Sequence, residues 1–200
     1  MTAPIDFYFD FSSPYGYIAA EKIDAIAAKH GRAVSWRPIL LGVVFKTTGM
    51  QALPGIPLKG QYALQDFPRS ARYYGLPFQQ PSVFPISTTA AARAFYWLQA
   101  RDPKQARALA IALYRAYFVD AMDISSPDAV AGIATTLGLA AAEVLAGIND
   151  AATKDRTKLE VEQAMAKGVF GSPYIVIDGE PFWGADRLEQ VEKWLATGGW

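Results

Sequence analysis

Three short segments of the sequence carry residue types that can bind or activate a small molecule. In the first, Ser13 follows the aromatic run Ile5 to Phe11 and precedes Pro14. A serine just before a helix accepts a hydrogen bond from a backbone N–H, and the start of a helix favours an anion. Ser13 is therefore either a helix N-cap or a donor of a charge-assisted hydrogen bond to a thiolate or carboxylate.

The second segment is Gly171-Ser172-Pro173, directly before the apolar run Tyr174 to Ile177. Proline cannot complete a strand ladder, so Pro173 either starts the strand as an ordinary trans residue or follows a cis bond. A cis bond would turn the Ser172 backbone toward solvent, where an extended peptide can pair with it. We predict the cis form.

The third segment runs from Phe182 through Trp183, Gly184 and Ala185 to Asp186 and precedes a helical pattern. Asp186 either caps that helix, with Trp183 filling the core, or pairs with the ammonium group of a ligand. The local sequence leaves both alternatives open.

Composition removes several kinds of site. The 200 residues include no cysteine and one histidine, His30. Disulfides, thiolate nucleophiles, thiolate metal sites and His-pair metal sites are therefore excluded, and we expect no bound metal. The 19 basic and 19 acidic side chains balance, which argues against a nucleic-acid partner.

The chain starts without a basic segment before an apolar one, so no signal peptide is visible. No apolar run approaches the roughly 20 residues that cross a bilayer, and no membrane partner is expected. The sequence predicts a soluble, cytoplasmic protein.

The elements that position these segments change type along the chain. We predict strands over Ile5–Phe11 and Ala33–Ile39, joined by a helix from Pro14 to His30. Pro38 marks the end of the second strand or a sheet edge. Strand, helix and strand in close succession predict a βαβ unit.

The middle of the chain carries helical patterns. Residues 42–87 are rich in glycine and proline, so helices there are expected to be short. Further helices are predicted over 88–100, 103–118, 127–137, 140–148 and 151–167. No strand pattern occurs among them.

Strands return near the end, at Tyr174–Ile177 and Glu180–Trp183, joined by the hairpin signal Asp178-Gly179 and followed by a helix over 187–196. The order predicts an α/β fold: a thioredoxin-like sheet (βαβ…ββα) with a large inserted all-helical domain. Residues 1–41 and 168–200 would form the discontinuous thioredoxin-like domain, and residues 42–167 the insertion.

Taken in order, the motifs resemble the 2-hydroxychromene-2-carboxylate isomerase family, which is similar to kappa-class glutathione transferases and DsbA-type oxidoreductases. The resemblance covers essentially the whole chain. The matching motifs are Asp10-Phe11-Ser12-Ser13-Pro14-Tyr15, Trp36-Arg37-Pro38, Leu40-Leu41-Gly42, Phe45-Lys46, Thr48-Gly49, Gly171-Ser172-Pro173 and Trp183-Gly184-Ala185-Asp186-Arg187-Leu188.

The resemblance implies that glutathione is the cofactor. Ser13 falls on the catalytic serine beside the glutathione sulfur, and Ser172 before cis-Pro173 would offer its backbone to the cysteinyl part. The turn that receives the γ-glutamyl end matches Trp183, Gly184, Ala185 and Asp186, with Asp186 pairing with the ammonium group.

The resemblance also implies an aromatic carboxylate as substrate, isomerised by reversible addition of the glutathione thiolate, and a homodimer. Lys46 matches a lysine that holds the substrate carboxylate or phenolic oxygen, and Phe84 lies in the loop lining the aromatic pocket. Lys59, Tyr62 and Asp66 also match the pattern. Met50, Ser87 and Ala185 depart from it, because relatives often have asparagine at the first two positions and serine or asparagine at the third.

Two other functions remain open. A kappa-type transferase would share the whole glutathione site and differ in the fate of the substrate. A non-catalytic thioredoxin-like binding module would explain the absence of cysteine, but Lys46 near the aromatic loop around Phe84 speaks against it. Dithiol oxidoreductase activity is excluded because the chain has no sulfhydryl group.

Overall fold

A computed structural model describes residues 3–200 of the chain. Its four strands form one mixed sheet in the order β2-β1-β3-β4. The strands are β1 (Ile5–Phe9), β2 (Val34–Pro38), β3 (Tyr174–Ile177) and β4 (Glu180–Trp183). β2 is parallel to β1, whereas β3 is antiparallel to β1 and to β4. The predicted four-stranded thioredoxin-like sheet is confirmed, and Pro38 ends its edge strand β2.

The helices follow the predicted distribution, with all of residues 42–167 free of strand within the part of the chain that the structure describes. The first four are α1 (Pro14–Ala20), α2 (Ile23–Lys29), α3 (Leu41–Thr48) and α4 (Lys59–Tyr73). The next five are α5 (Thr89–Gln99), α6 (Pro103–Phe118), α7 (Pro127–Thr135), α8 (Ala141–Asn149) and α9 (Ala151–Ala166). The last is α10 (Leu188–Thr197), which follows a 3-10 turn at Ala185–Arg187.

Three expected boundaries were wrong. The single helix from Pro14 to His30 is two helices, because the backbone leaves regular helix at Glu21 and Lys22. The first strand ends at Phe9 and not at Phe11, since the Ser13 N–H closes a turn on the Asp10 carbonyl. α4 has 15 residues and continues through Pro68, although short helices were expected in this stretch.

The persistence of α4 has a physical explanation. Pro68 removes one backbone hydrogen bond from the helix. The same helix buries Ala63, Phe67 and Ala71, and this apolar contact offsets the missing bond. Packing therefore overrides the local signal of proline.

Both faces of the sheet are covered. On one face, Phe9 of β1 packs with Phe95 of α5 and Tyr114 of α6, and Phe7 belongs to the same cluster. On the other face, Tyr8 packs with α3 and α9 through Val44 and Ala164. Two hydrophobic clusters, one on each face, thus join the sheet to helices of residues 42–167, and the division into two domains stays a prediction.

Candidate active site

The turn between β1 and α1 places Ser13 against the loop before β3. The Ser13 hydroxyl donates to the Ser172 carbonyl at 2.9 Å and accepts from the Gly16 N–H at 3.0 Å. Ser13 is the N-cap of α1, as one alternative predicted, and it is 5 % exposed. The Ser13 hydroxyl thus has both a donor and an acceptor partner within the protein. A ligand that accepts a hydrogen bond from this hydroxyl must therefore replace the Ser172 carbonyl as its acceptor.

The Ser172–Pro173 peptide bond is cis, as predicted, and the Phe84–Pro85 bond is a second cis bond that the sequence did not reveal. The Ser172 hydroxyl accepts from the Asp10 N–H at 2.9 Å. Within residues 3–200 the Ser172 backbone N–H has no hydrogen-bond acceptor, so a donor remains beside the carbonyl that Ser13 contacts.

Gly16 allows these groups to approach one another. A Cβ at this position would lie 2.6 Å from Tyr114 Oη and 2.7 Å from Ser172 Oγ, so a larger residue would push the loop away. The Tyr114 hydroxyl donates to the Asp10 carbonyl at 2.9 Å, and burial raises its pKa. We call Asp10, Ser13, Tyr114 and Ser172 the floor of the site.

A cavity of about 1590 Å³ opens above the floor. Ser13 and Ser172 line it from the sheet side, and α3, α4 and the loop before α5 form its other walls. Its apolar lining includes Phe45, Met50, Leu53, Ile56, Phe67, Phe84 and Ile86. A cavity of this volume with a largely apolar lining is large enough for a small-molecule ligand.

The turn after β4 forms one side of the cavity mouth. Gly184 has φ 111° and ψ 150°, which glycine alone adopts readily, and a Cβ there would collide with the Asp186 carboxylate. Its N–H donates to the Pro173 carbonyl at 3.1 Å, which ties this turn to the cis-proline loop. The Ala185 carbonyl accepts from the Tyr74 hydroxyl at 2.7 Å.

Two side chains of this turn face outward. Trp183 is 51 % exposed, with its ring centroid 4.8 Å from that of Phe170. The Asp186 side chain is 75 % exposed and lies 3.8 Å from Arg187 Nη2. Within residues 3–200 Asp186 makes no capping hydrogen bond, so the capping alternative finds no support and its carboxylate stays accessible. We call three exposed residues of the cavity lining the rim of the site: Trp183, Asp186 and Lys59 of α4.

The sequence did not single out a polar network on the α4 wall. The Tyr15 hydroxyl donates to Asp66 at 2.5 Å, and Arg69 pairs with the same carboxylate. Hydrogen bonds from Tyr15, Arg69 and Ser70 lower the pKa of Asp66, although its partial burial acts in the opposite direction. Asp66 therefore links α4 to Tyr15 of α1.

The cavity does not gather every residue that the sequence predicted. Ser13, Ser172, Trp183, Gly184, Ala185, Asp186 and Phe84 all line it, as do the departing residues Met50 and Ser87. Pro173 is buried next to the lining. Lys46 is exposed in the last turn of α3 and lies outside the lining, so its contact with substrate stays a prediction.

Comparison with known proteins decides the family. Residues 4–196 match the model of the DSBA-like thioredoxin domain. The chain belongs to this family. It is 30 % identical to the 2-hydroxychromene-2-carboxylate isomerase of Sphingobium xenophagum, over 98 % of this chain and 99 % of that protein.

Two further similarities support the resemblance stated above. The glutathione S-transferase kappa 2 of Caenorhabditis elegans is 27 % identical, over 96 % of this chain and 91 % of that protein. A solved structure of 2-hydroxychromene-2-carboxylate isomerase superposes with a TM-score of 0.87 at 24 % identity, covering 97 % of this chain and 95 % of that one. This DSBA-like chain therefore has the fold and the relatives that the motifs predicted.

Two kinds of feature are absent from residues 3–200: membrane-spanning helices and clusters of metal ligands. None of its helices combines the length and apolarity needed to cross a membrane. Within residues 3–200, no three histidine, aspartate or glutamate side chains lie together as metal ligands would.

Proposed function

We propose that the protein is a glutathione-dependent isomerase of aromatic carboxylic acids of the 2-hydroxychromene-2-carboxylate type. The convergence of Ser13, Ser172 and Asp186 on one cavity carries the proposal. The similar isomerase and kappa-class transferase, which match nearly the full chain, support it.

The site has one polar group suited to each of three chemical parts of glutathione. Glutathione offers an anionic sulfur, a short peptide backbone and a free ammonium group. The site offers the Ser13 hydroxyl, the Ser172 N–H without an internal acceptor and the exposed Asp186 carboxylate. Because Gly184 has no Cβ, the Asp186 carboxylate can lie directly against its backbone.

Bound glutathione would supply the thiol nucleophile that this cysteine-free chain lacks. Ser13 would turn its hydroxyl from the Ser172 carbonyl to the sulfur and stabilise negative charge there. The seven residues of α1 make a short helix, so the proposal rests on the Ser13 hydroxyl more than on the helix dipole.

The apolar walls would hold the aromatic substrate. Phe84 packs edge-on against Phe67 of α4 with ring centroids 5.8 Å apart, and both line the cavity. These rings offer edges and faces to a flat ligand and exclude water from it. Lys46 lies outside the cavity lining, so it would hold a substrate oxygen only if the last turn of α3 moves when substrate binds.

A kappa-type transferase is the second candidate, favoured by the 27 % identity to the kappa 2 enzyme. It would use the same floor and rim and release a glutathione conjugate. A non-catalytic module would bind glutathione without turnover. The cytoplasmic location and the homodimer also remain predictions.

Ultraviolet spectra of a hydroxychromene carboxylate, recorded with protein and with or without glutathione, separate these functions. Isomerisation changes the substrate spectrum only when glutathione is present and leaves the thiol concentration constant. A fall in free thiol that matches the product formed would indicate a transferase. An unchanged spectrum with bound glutathione would indicate a binding module and contradict the proposal.

A further inference from the structure

Asp10 is a buried carboxylate directly behind the Ser13 turn. It is 2 % exposed, and the other buried polar side chains found within residues 3–200 are serines and threonines. Asp10 follows the last residue of β1 and lines the same cavity as Ser13. A charge in this place has a large electrostatic effect, because little water screens it.

The carboxylate accepts hydrogen bonds from three separate segments. Its Oδ1 accepts from the Ser12 N–H at 2.7 Å, inside the Ser13 turn. Its Oδ2 accepts from the Leu41 N–H at 2.6 Å, where α3 begins. The Thr88 hydroxyl, just before α5, lies 3.2 Å from both oxygens. One side chain thus joins the turn to two helices at the cavity.

The backbone of Asp10 completes this junction. Its N–H donates to the Ser172 hydroxyl at 2.9 Å, and its carbonyl accepts from the Ser13 N–H at 2.9 Å. The same carbonyl accepts from Tyr114 of α6. Every segment of the floor is therefore bonded to Asp10.

No cationic side chain in the described part of the chain pairs with this carboxylate. Among the ion pairs of residues 3–200, none includes Asp10. The titratable groups facing it are Tyr114 and Tyr117 of α6. Burial raises the pKa of Tyr117 to about 12 and raises that of Tyr114 well above its usual value, so both stay neutral. From α3, α5 and the cis-proline loop it meets Leu41, Thr88 and Ser172, which carry no charge.

We propose that Asp10 is a positioning residue of the Ser13 site, fixing the Ser13 turn to the starts of α3 and α5 and opposing a second negative charge at Ser13. The second part rests on the proposed function, since that charge would be a glutathione thiolate. An ionised Asp10 raises the pKa of a thiol held at Ser13, and a protonated Asp10 does not.

Burial makes this coupling relevant near neutral pH. It raises the pKa of Asp10 from 3.8 to about 6, although the hydrogen bonds from Leu41, Ser12 and Thr88 act in the opposite direction. Asp10 is thus the group in the floor whose charge changes between pH 5 and 7.

The first experiment uses the ligand-free protein. A ¹³C NMR titration of the aspartate carboxyl groups should show Asp10 changing charge near pH 6. The Ser12 and Leu41 amide resonances should shift with the same midpoint. Thr88→Val should move this midpoint upward, because it removes a hydrogen bond that favours the carboxylate. Thr88 makes no capping bond, so α5 should not suffer, and Ser87→Ala beside it should leave the midpoint unchanged.

The second experiment follows the thiolate absorbance of bound glutathione against pH. Asp10→Asn should lower the pKa of the bound thiol by about one unit, a tenfold gain in thiolate fraction below that pKa. Should Asp10→Asn fail to fold, Thr88→Val carries the test. This variant increases the fraction of protein in which Asp10 is protonated near pH 6, so the apparent pKa of the bound thiol, measured near that pH, should fall.

The failures of the two proposals are distinct. An unchanged thiol pKa in the folded variants would overturn the electrostatic role of Asp10. If the Ser12 and Leu41 amide resonances did not shift as Asp10 titrates, the positioning role of Asp10 would be overturned. A wild-type protein that glutathione does not stabilise would refute the proposed function, while the NMR titration would still decide the positioning role.

Discussion

The floor and the rim of the site are built in opposite ways. Ser13, Ser172 and Asp10 are at most 8 % exposed, and their side-chain oxygens all have partners inside the protein. Trp183 and the Asp186 side chain are 51 % and 75 % exposed. A ligand must exchange a hydrogen bond at the floor but meets exposed groups at the rim. Floor substitutions should therefore alter turnover and stability together, whereas rim substitutions should alter binding alone.

The largest effect is expected for Ser13→Ala. Loss of a donor that stabilises charge in the transition state lowers turnover by about 10²–10³, whereas glutathione affinity should change far less. The lost N-cap should also lower the free energy of unfolding by about 0.5–2 kcal/mol. Steady-state kinetics and denaturant unfolding measure the two effects.

Ser126→Ala is the matched control for Ser13→Ala. Ser126 caps α7 by accepting from the Ala129 N–H at 3.1 Å, away from the cavity. It should show a similar stability loss and full turnover. If Ser13→Ala behaved in the same way as Ser126→Ala, Ser13 would be a helix cap and nothing more.

Gly184→Ala tests how the rim is held. Its backbone lies in a region that other residues adopt at a cost of about 1–3 kcal/mol, so the free energy of unfolding should fall by that amount. The added Cβ would also displace the Asp186 carboxylate, so glutathione should raise the melting temperature at most about half as much as in the wild type. Gly168→Ala, at φ 83° with open space around it, should show strain and keep the glutathione effect. Equal glutathione effects in both variants would contradict this account of the turn.

Asp186→Asn isolates charge at the rim. Asparagine keeps the size of the side chain but cannot pair ionically with an ammonium group, so the Kd of glutathione should rise about tenfold. At a hundredfold excess over the wild-type Kd, stabilisation by glutathione would fall from about 2.7 to about 1.4 kcal/mol. Thermal unfolding with and without glutathione measures this difference.

The ligand-free Asp186→Asn protein should unfold as the wild type does, because Asp186 makes no capping bond. Asp128→Asn, in the first turn of α7, is the matched surface control and should leave the glutathione effect intact. An undiminished effect in Asp186→Asn would remove this residue from the proposed site.

The sequence predicted the parts of the site that depend on local pattern. The aromatic run before Ser13, the apolar run after Pro173 and the Asp178-Gly179 hairpin each have a signal within a few residues. Their order along the chain then brings the segments together, because β1 pairs with β3 in the centre of the sheet. The cis bond before Pro173 was predicted for the same reason.

The parts that the sequence missed depend on contacts between distant segments. Asp10 meets Leu41, Thr88 and Ser172 through hydrogen bonds that span up to 162 positions, and no local pattern encodes them. The local sequence contained one indication that Asp10 has a special role, because a carboxylate there directly follows an apolar strand. Likewise, α4 continues through Pro68 because the helix buries Ala63, Phe67 and Ala71.

The smallest effect is expected for Lys46→Ala, and Lys59→Ala supplies the comparison. Both lysines are exposed, but Lys59 lines the cavity and Lys46 does not. An exposed ion pair is worth about 0.2–1 kcal/mol, so Lys59→Ala should raise the KM of an anionic ligand by no more than about fivefold. Lys46→Ala should raise it less than twofold. Because salt screens exposed charges, the Lys59 effect should shrink between 0.05 and 0.5 M salt.

The opposite order would be equally informative. The lysine side chain is long and flexible, so Lys46 reaches the cavity if the last turn of α3 moves when substrate binds. A larger KM effect for Lys46→Ala than for Lys59→Ala would support the substrate contact that the resemblance implied. It would also show that the rim extends to α3 when substrate is bound. The rim would then become more ordered in the complex, and so more like the floor.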